Sequence, residues 1–397
     1  MDSLYQKFYK KIELVSLDFK RNLMEQIQWD ARLIGIKGAR GVGKTTLLLQ
    51  YIKENLPINE STLYVSLDNI WFGENKLSTL TEDFVKRGGK YLFLDEVHKY
   101  PNWSQELKNI YDDYPELKVV FTGSSLLEIL NARADLSRRA VVYTLQGLSY
   151  REYLHLKSGV QLPKVELEDL VQNHVQLSIE INRTLKPLQY FEEYLKTGYF
   201  PYFQEVPSLY YHRIEEVINM TLEVELPLLR KVEVSYVSKL KQLLQIISES
   251  VPFIPNVSKL SERIGVNRNT FTTYLFFLQE ANLTRNIYKD ASGITLLQKP
   301  DKIYLENTNF QYALAPKNTE KGSIRETFLV NQLSYQYQVE YVDQGDFLID
   351  QTYTLEVGGS GKTKKQIQRI PNSFIVSDDL EYGTGTKIPL WMFGFLY

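Results

Sequence analysis

The chain has 397 residues, a formal net charge of −2 and no cysteine. That length exceeds what one hydrophobic core accommodates and sets an expectation of two to four domains. Near-neutral charge excludes a wholly basic nucleic-acid protein, though not a local basic face, and the lack of cysteine excludes disulfides, cysteine–zinc sites and thiol catalysis. The absence of cysteine also fits a reducing compartment.

Residues 1 to about 30 read as helical, and the first fifteen lack the apolar core of a signal peptide. No apolar run approaches the roughly 20 residues of a membrane helix. The expectation is therefore a cytoplasmic protein with no membrane partner. ARLIGIKG is a short apolar run ending in glycine, as a buried parallel strand should be. TTLLLQYIKENL reads as a helix, STLYVSLDN as a second strand and LSTLTEDFVKRGG as a helix closed by glycines. KYLFLDE is a third strand, Trp103 to Tyr114 a helix and LKVVFTGSS a fourth strand. Strands alternating with helices imply a parallel sheet with crossover helices. From about Tyr150 to Val234 the pattern is helical, and residues 236 to 312 look like a separate small domain. After Lys317 a helix precedes aromatic, β-rich segments, and Leu390 to Tyr397 reads as a buried strand.

The first strand runs into Gly38-Ala39-Arg40-Gly41-Val42-Gly43-Lys44-Thr45-Thr46, which matches G-x-x-x-x-G-K-[ST] and opens a helix. Glycines let backbone N–H groups converge on a β-phosphate, and the helix N-terminus favours the anion. Lys44 is placed to reach the β- and γ-phosphates of ATP, and the Thr45 hydroxyl to bind Mg²⁺. A second glycine-rich string, Gly358-Gly359-Ser360-Gly361-Lys362-Thr363, has Glu356 where the first glycine is required, and is rejected. Asp95 and Glu96 end the apolar strand KYLFLDE about fifty residues after the phosphate loop. Asp95 is expected to hold Mg²⁺ through water and Glu96 to polarise the attacking water. Ser124 or Ser125, at the end of the fourth strand, has the place of a γ-phosphate sensor, or of a helix cap. Among Arg133, Arg138 and Arg139, Arg139 is the candidate for a cationic finger at a subunit interface, which would make the chain a homo-oligomer. The four histidines (His98, His155, His174, His212) are too scattered to propose a metal cluster.

GARGVGKTTLL, LDEVHKYPNW, TGSS and LSRRAVVYTLQGLSYREYL together resemble the prokaryotic AAA-type ATPases that carry a C-terminal domain of unknown function. The resemblance continues through TGYFPYF, KPDKIYLEN and IPLWMFGFLY, and so covers nearly the whole chain. It implies an α/β P-loop NTPase core at residues 1–155 and a helical lid at 156–235. A winged-helix domain at 236–312 and a restriction-endonuclease-like C-terminal domain at 313–397 follow. Phosphate-loop roles pass to Gly38 through Thr46, the acidic pair to Asp95 and Glu96, and the sensor to Ser124 or Ser125. The usual Gly-Arg after the sensor is Arg138-Arg139 in this chain.

Residues 237 to 281 read as three helices, Val237–Glu249, Val257–Ile264 and Arg268–Ala281, with Thr270, Thr273 and Tyr274 on or near the exposed face of the third. A β segment from Thr284 to Tyr304 follows as a wing. This spacing puts the third helix in a DNA groove, with Arg268, Asn269 and Thr273 facing bases and Lys289, Lys299 and Lys302 near phosphates. The helix is poor in basic residues, and phosphate neutralisation dominates affinity, so docking of a protein is the competing reading.

In the last segment Glu326 lies on a helix, Asp346 precedes the strand FLI, and Glu356 lies on LEV. That order resembles the acidic core of restriction-type nucleases, whose lysine lies two residues after the second acid, where this chain has Gly358. The expectation is a nuclease-like fold without nuclease activity, whose basic segment Lys362, Lys364, Lys365 and Arg369 binds DNA or a partner. Three functions stand: an ATP-driven switch or remodeller acting on DNA, a regulatory ATPase that docks proteins, and an ATP-gated nuclease.

Overall fold

The computed structural model describes residues 1–123, 136, 138–227, 233–289 and 299–397. The chain divides into two compact units, residues 1–147 and 148–397.

The first unit is built on a five-stranded parallel sheet of order β2-β3-β4-β1-β5. Its strands are β1 (Leu33–Lys37), β2 (Thr62–Ser66), β3 (Tyr91–Asp95), β4 (Lys118–Gly123) and β5 (Val141–Thr144). Leu33, Ile34, Ile36, Leu92, Leu94 and Phe121 are all at most 1% exposed. Near-continuous apolar strands of this kind are what a sheet covered on both faces requires. The covering helices are α1 (Asp2–Leu14), α3 (Lys44–Asn55), α4 (Leu77–Lys86) and α5 (Trp103–Asp113), with a short turn of helix, α2 (Leu23–Gln26), between the first two. In α1, Leu4, Phe8 and Ile12 recur at four-residue spacing and are buried, so one stripe of the helix faces inward. Gly35 lies where an added Cβ would meet the Phe121 ring at 2.7 Å, so β1 and β4 approach closely.

The order has one consequence for the site. Because β4 lies between β1 and β3, Thr122 pairs with Ile36 on one side and lies beside the end of β3 on the other. The C-terminal ends of β1, β3 and β4 thus form one edge, where ligands of open α/β sheets bind.

Two expectations for this unit are corrected. The first 30 residues are not continuous helix: Ser16 and Asp18 hydrogen-bond each other at 2.7 and 3.0 Å, and such local bonds compete with the helix after Leu14. The strand β5, which pairs in parallel with β1, went unanticipated because it follows a charged run.

The second unit begins with the helices Tyr150–Ser158, Leu167–Thr184, Leu188–Thr197 and Tyr210–Met220. Three more, Val234–Ser248, Val257–Ile264 and Arg268–Glu280, lead into the antiparallel pair β6 (Thr284–Ile287) and β7 (Lys302–Leu305). Helices Thr308–Leu314 and Lys321–Leu333 precede a mixed sheet of order β12-β11-β10-β9-β8. Its strands are β8 (Val339–Tyr341), β9 (Phe347–Ile349), β10 (Tyr353–Gly358), β11 (Ser373–Ser377) and β12 (Lys387–Pro389). The terminal apolar run is not a strand: Leu390–Phe395 forms a 3-10 helix, buried throughout. A run that is apolar on every side carries no periodicity, so burial alone does not choose between strand and helix. Gly394 is needed here, since a Cβ would lie 2.3 Å from the Cβ of Tyr150. Among the described residues no helix is long and apolar enough to cross a membrane.

Candidate functional site

The phosphate loop joins β1 to the N-terminus of α3. Gly41 and Gly43 have φ of 83° and 98°, a conformation that costs glycine nothing and other residues about 1–2 kcal/mol. Gly38 is required for another reason: an added Cβ would lie 2.2 Å from the carbonyl oxygen of Leu145. The loop therefore folds tightly against the chain that follows β5. Lys44, 7% exposed, turns back over the loop, and its Nζ donates to the carbonyls of Gly38 and Ala39, both at 2.8 Å. This places a buried ammonium beside the loop's backbone N–H groups, an arrangement that suits a polyphosphate anion.

Asp95, 2% exposed at the end of β3, is the hub of the site. Its Oδ2 accepts hydrogen bonds from the Thr45 hydroxyl and the Tyr64 hydroxyl, each at 2.6 Å. Its Oδ1 accepts from the Thr122 hydroxyl. A threonine hydroxyl and a carboxylate within hydrogen-bond reach are hard oxygen donors, the set that suits a magnesium-like cation sharing its shell with water and phosphate. A cation held there would neutralise phosphate charge. Among the described residues there is no group of three or more His, Cys, Asp or Glu that could hold a metal ion.

Glu96 follows with φ of 53°, a left-handed turn that carries its carboxylate out of the line of the strand. Its backbone N–H donates to the Thr122 hydroxyl at 3.0 Å. Burial, and then the Asp95 charge, hold its carboxyl above the usual carboxylate range, while Arg40 and Lys44 pull it down. A carboxyl raised in this way is a better proton acceptor than an exposed one, which suits it to polarise a water. His98, on the next turn, is pushed down to about 3 by burial and by Lys99, Lys44 and Arg40, so its imidazole is neutral there.

Three supports of this site were not singled out from sequence. Arg21, 5% exposed, donates to the carbonyls of Val42 at 2.6 Å, Gln146 at 2.8 Å and Gly147 at 2.9 Å, tying the phosphate loop to the end of the unit. Tyr64 and Thr122 fix Asp95. A tyrosine mid-strand or an arginine before a strand carries no local signature, and only the strand order brings them to the loop.

Ser124, Ser125 and Arg133 lie outside the described residues. Arg138 is exposed, and Arg139 makes a two-bond ion pair with Asp112 of α5, both contacts at 2.9 Å.

In the second unit, Asn267 caps the helix Arg268–Glu280 through the Thr270 N–H at 2.8 Å, and Gly265 closes the preceding helix with φ of 70°. Arg268, Asn269 and Thr273 are exposed, as expected. Tyr274 is not: it is 3% exposed, while Phe276, 45% exposed, lies on the outer face with Asn269 and Thr273. The four-residue spacing from 270 to 274 does not decide orientation; the inward stripe runs through Phe271, Tyr274, Leu275 and Leu278. Lys289 is ion-paired with Asp343 at 2.5 Å, Lys299 donates to the Pro255 carbonyl at 3.2 Å, and Lys302 lies 4.6 Å from the Tyr341 ring centre.

The three acids of the last segment each have a partner. Glu326 accepts from the Tyr304 hydroxyl at 2.6 Å, Asp346 from the Val357 N–H at 2.7 Å, and Glu356 pairs with Lys362 at 2.5 Å. Lys362 reaches Glu356 by lying over Gly358, where a Cβ would meet its stem at 2.8 Å. Lys364 and Lys365 lie on the 3-10 turn Lys364–Gln366. The glycine-rich string at Gly358 opens no α-helix, in keeping with its rejection as a phosphate loop.

Comparison with known proteins bears on this geometry. Residues 30–154 match an AAA domain, and residues 188–321 match a domain of unknown function (DUF8612). An uncharacterized protein of Methanocaldococcus jannaschii is 25% identical, over 96% of this chain and 87% of its own. AMPPCP-bound DnaA from Aquifex aeolicus overlays with 14% identity and a TM-score of 0.26, covering 70% of this chain and 88% of that one. PCH-2 of C. elegans overlays with 19% identity and a TM-score of 0.24, covering 43% and 47%. The matched domain spans the phosphate loop, the acidic pair and the parallel sheet. The chain carries an AAA-type P-loop domain, binds ATP and is an ATPase.

Proposed function

We propose that this ATPase is a Mg²⁺-dependent, nucleotide-driven switch or remodeller that acts on DNA. Gly38 through Thr46 cradle the triphosphate, Thr45 and Asp95 hold Mg²⁺, and Glu96 polarises the attacking water. Ser124 or Ser125 senses the γ-phosphate. Arg139 leaves Asp112 to act on a neighbouring copy's nucleotide in a homo-oligomer. Residues 156–235 form the helical lid, residues 236–312 a winged helix and residues 313–397 a nuclease-like domain.

The observation that carries DNA as the target is the exposed row Arg268, Asn269 and Thr273 on the second helix of a helix–turn–helix, with a strand pair behind it. Lys289 supports it as a phosphate contact once released from Asp343, and Lys362, Lys364 and Lys365 add a second basic stretch. The test is the ATPase rate with and without duplex DNA, beside mass measurement in ATP. Stimulation by DNA and assembly in ATP are expected; an unchanged rate and no DNA binding would discard the reading.

One observation favours a second reading, a regulatory ATPase that docks a protein. Phe276 lies exposed on the same helical face as Asn269 and Thr273. An apolar ring at that place suits a protein surface better than base edges. Phe276→Ser would then weaken a nucleotide-dependent protein complex without altering DNA binding. An ATP-gated nuclease is the least supported, since Glu326, Asp346 and Glu356 are each engaged internally.

A further inference from the structure

We propose that Tyr64 is a positioning residue for Asp95, and that Lys11 of α1, by donating to the Tyr64 oxygen, holds that hydroxyl in place. The inference rests on the reading that Asp95 holds the metal of the ATPase site.

Asp95 receives three hydroxyl bonds, and what lies behind each differs. Lys11 Nζ lies 3.3 Å from the Tyr64 oxygen and 4.9 Å from the centre of its ring. An ammonium has donors only, so the Tyr64 oxygen must accept from it. The single Tyr64 proton goes to Asp95 Oδ2, 2.6 Å away, since a carboxylate only accepts, and the Lys11 bond holds the hydroxyl from its other side. Thr122 is held in the same way, because its oxygen accepts from the Glu96 N–H at 3.0 Å and its proton goes to Oδ1. Among the described hydrogen bonds, no donor feeds the Thr45 hydroxyl in this manner.

Two of the three hydroxyls are therefore held from behind by an upstream donor as well, whereas among the described hydrogen bonds the Thr45 hydroxyl is held by Asp95. That is the division a metal carboxylate needs. Tyr64 and Thr122 hold the plane of the carboxylate, while Thr45 can turn from Asp95 to a cation without leaving Asp95 bare. Tyr64 is suited to the task by its setting. It is 3% exposed on β2, and its ring lies 28° from parallel with Phe8 of α1, centre to centre at 6.4 Å. A ring packed this way has little freedom to swing its hydroxyl aside. Lys11 itself is exposed, so α1 carries a surface charge whose effect reaches the metal acid through one side chain.

The test measures binding of a fluorescent ATP analogue to the full chain, in Mg²⁺ and in EDTA, and takes the ratio of the two affinities. Loss of an outer partner of a metal ligand typically costs about 10–100-fold in metal affinity, so Tyr64→Phe is expected to lower the ratio by about tenfold. Lys11→Glu offers the Tyr64 proton a competing acceptor from the protein surface, with no change in the core. It is expected to lower the ratio too, and more than Lys11→Met. A wild-type ratio in Tyr64→Phe would overturn the proposal, as would a wild-type ratio in Lys11→Glu if Tyr64→Phe does not fold. A wild-type protein whose affinity is the same in Mg²⁺ and EDTA would instead discard the metal role of Asp95, which separates the two failures.

Discussion

Replacing Arg21 by methionine keeps an unbranched stem and removes the guanidinium that holds the phosphate loop from beneath. The guanidinium donates to three carbonyls at 2.6, 2.8 and 2.9 Å in a setting that leaves the residue 5% exposed. A hydrogen bond from a charged donor contributes about 1.5–3 kcal/mol net, and an orphaned buried acceptor costs about 1–3 kcal/mol. The three losses are not additive, because they share one side chain and the loop can relax. A total near 3 kcal/mol is the expectation, the worth of one to two such bonds. For a unit of 147 residues, that corresponds to a fall in melting temperature of roughly 6–12 °C. Three of the four tryptophans, Trp29, Trp71 and Trp103, lie in this unit, so tryptophan fluorescence on heating reports mainly its unfolding. The KM for ATP should rise with it, since the Val42 carbonyl sits inside the phosphate loop. Arg21→Lys should recover only part of either loss, as one Nζ cannot span the three acceptors. A melting temperature and KM within error of wild type in Arg21→Met would refute the reasoning.

Glu96 is held above the usual carboxylate range, so the folded state binds its proton more tightly than the unfolded chain does. Its ionisation therefore destabilises the fold as pH rises through that interval. Glu96→Gln should melt higher than wild type at neutral pH, with the advantage vanishing in acid, while hydrolysis falls about 10²–10⁴-fold. Hydrolysis by wild type should fail as pH drops through the raised Glu96 range, and Arg40→Ala, which removes an opposing charge, should move that acid limb to higher pH; an unmoved limb would count against Glu96 as the base. Gly38→Ala forces a Cβ to within 2.2 Å of the Leu145 oxygen. It should cost about 1–3 kcal/mol in denaturant unfolding and weaken ATP binding. Arg268→Glu with Lys289→Glu should weaken duplex DNA binding and flatten its salt dependence; identical salt curves would remove this surface from the account. Supercoiled DNA incubated with Mg²⁺ or Mn²⁺ should stay intact, and cleavage abolished by Asp346→Ala would reverse the view of the last segment.

The phosphate loop and the acidic pair were legible because their chemistry is contiguous: a glycine-rich turn after an apolar strand, and two acids at the end of another. The parallel sheet was legible from the same apolar strands, whose burial on both faces removes the alternation of a half-exposed sheet. The partners of Asp95 were not. Tyr64 reaches it because β2 flanks β3 on one side, and Thr122 because β4 flanks it on the other, and strand order is a property of the whole sheet. Arg21 is the same case at longer range, joining a loop before β1 to carbonyls after β5. Errors fell where periodicity is silent. Leu390–Phe395 is apolar on all sides and formed a 3-10 helix, and the register of Arg268–Glu280 turned Tyr274 inward and Phe276 out. Lys362, read as part of a basic segment, lies across Gly358 to pair with Glu356.

The central claim is an ATPase site in which Lys44 binds the phosphates and Glu96 drives hydrolysis. The most direct test pairs ATP binding with single-turnover hydrolysis for wild type, Lys44→Ala and Glu96→Gln. The account predicts turnover in wild type, loss of tight binding in Lys44→Ala, and retained binding with slowed hydrolysis in Glu96→Gln. Wild-type turnover in Lys44→Ala would contradict it.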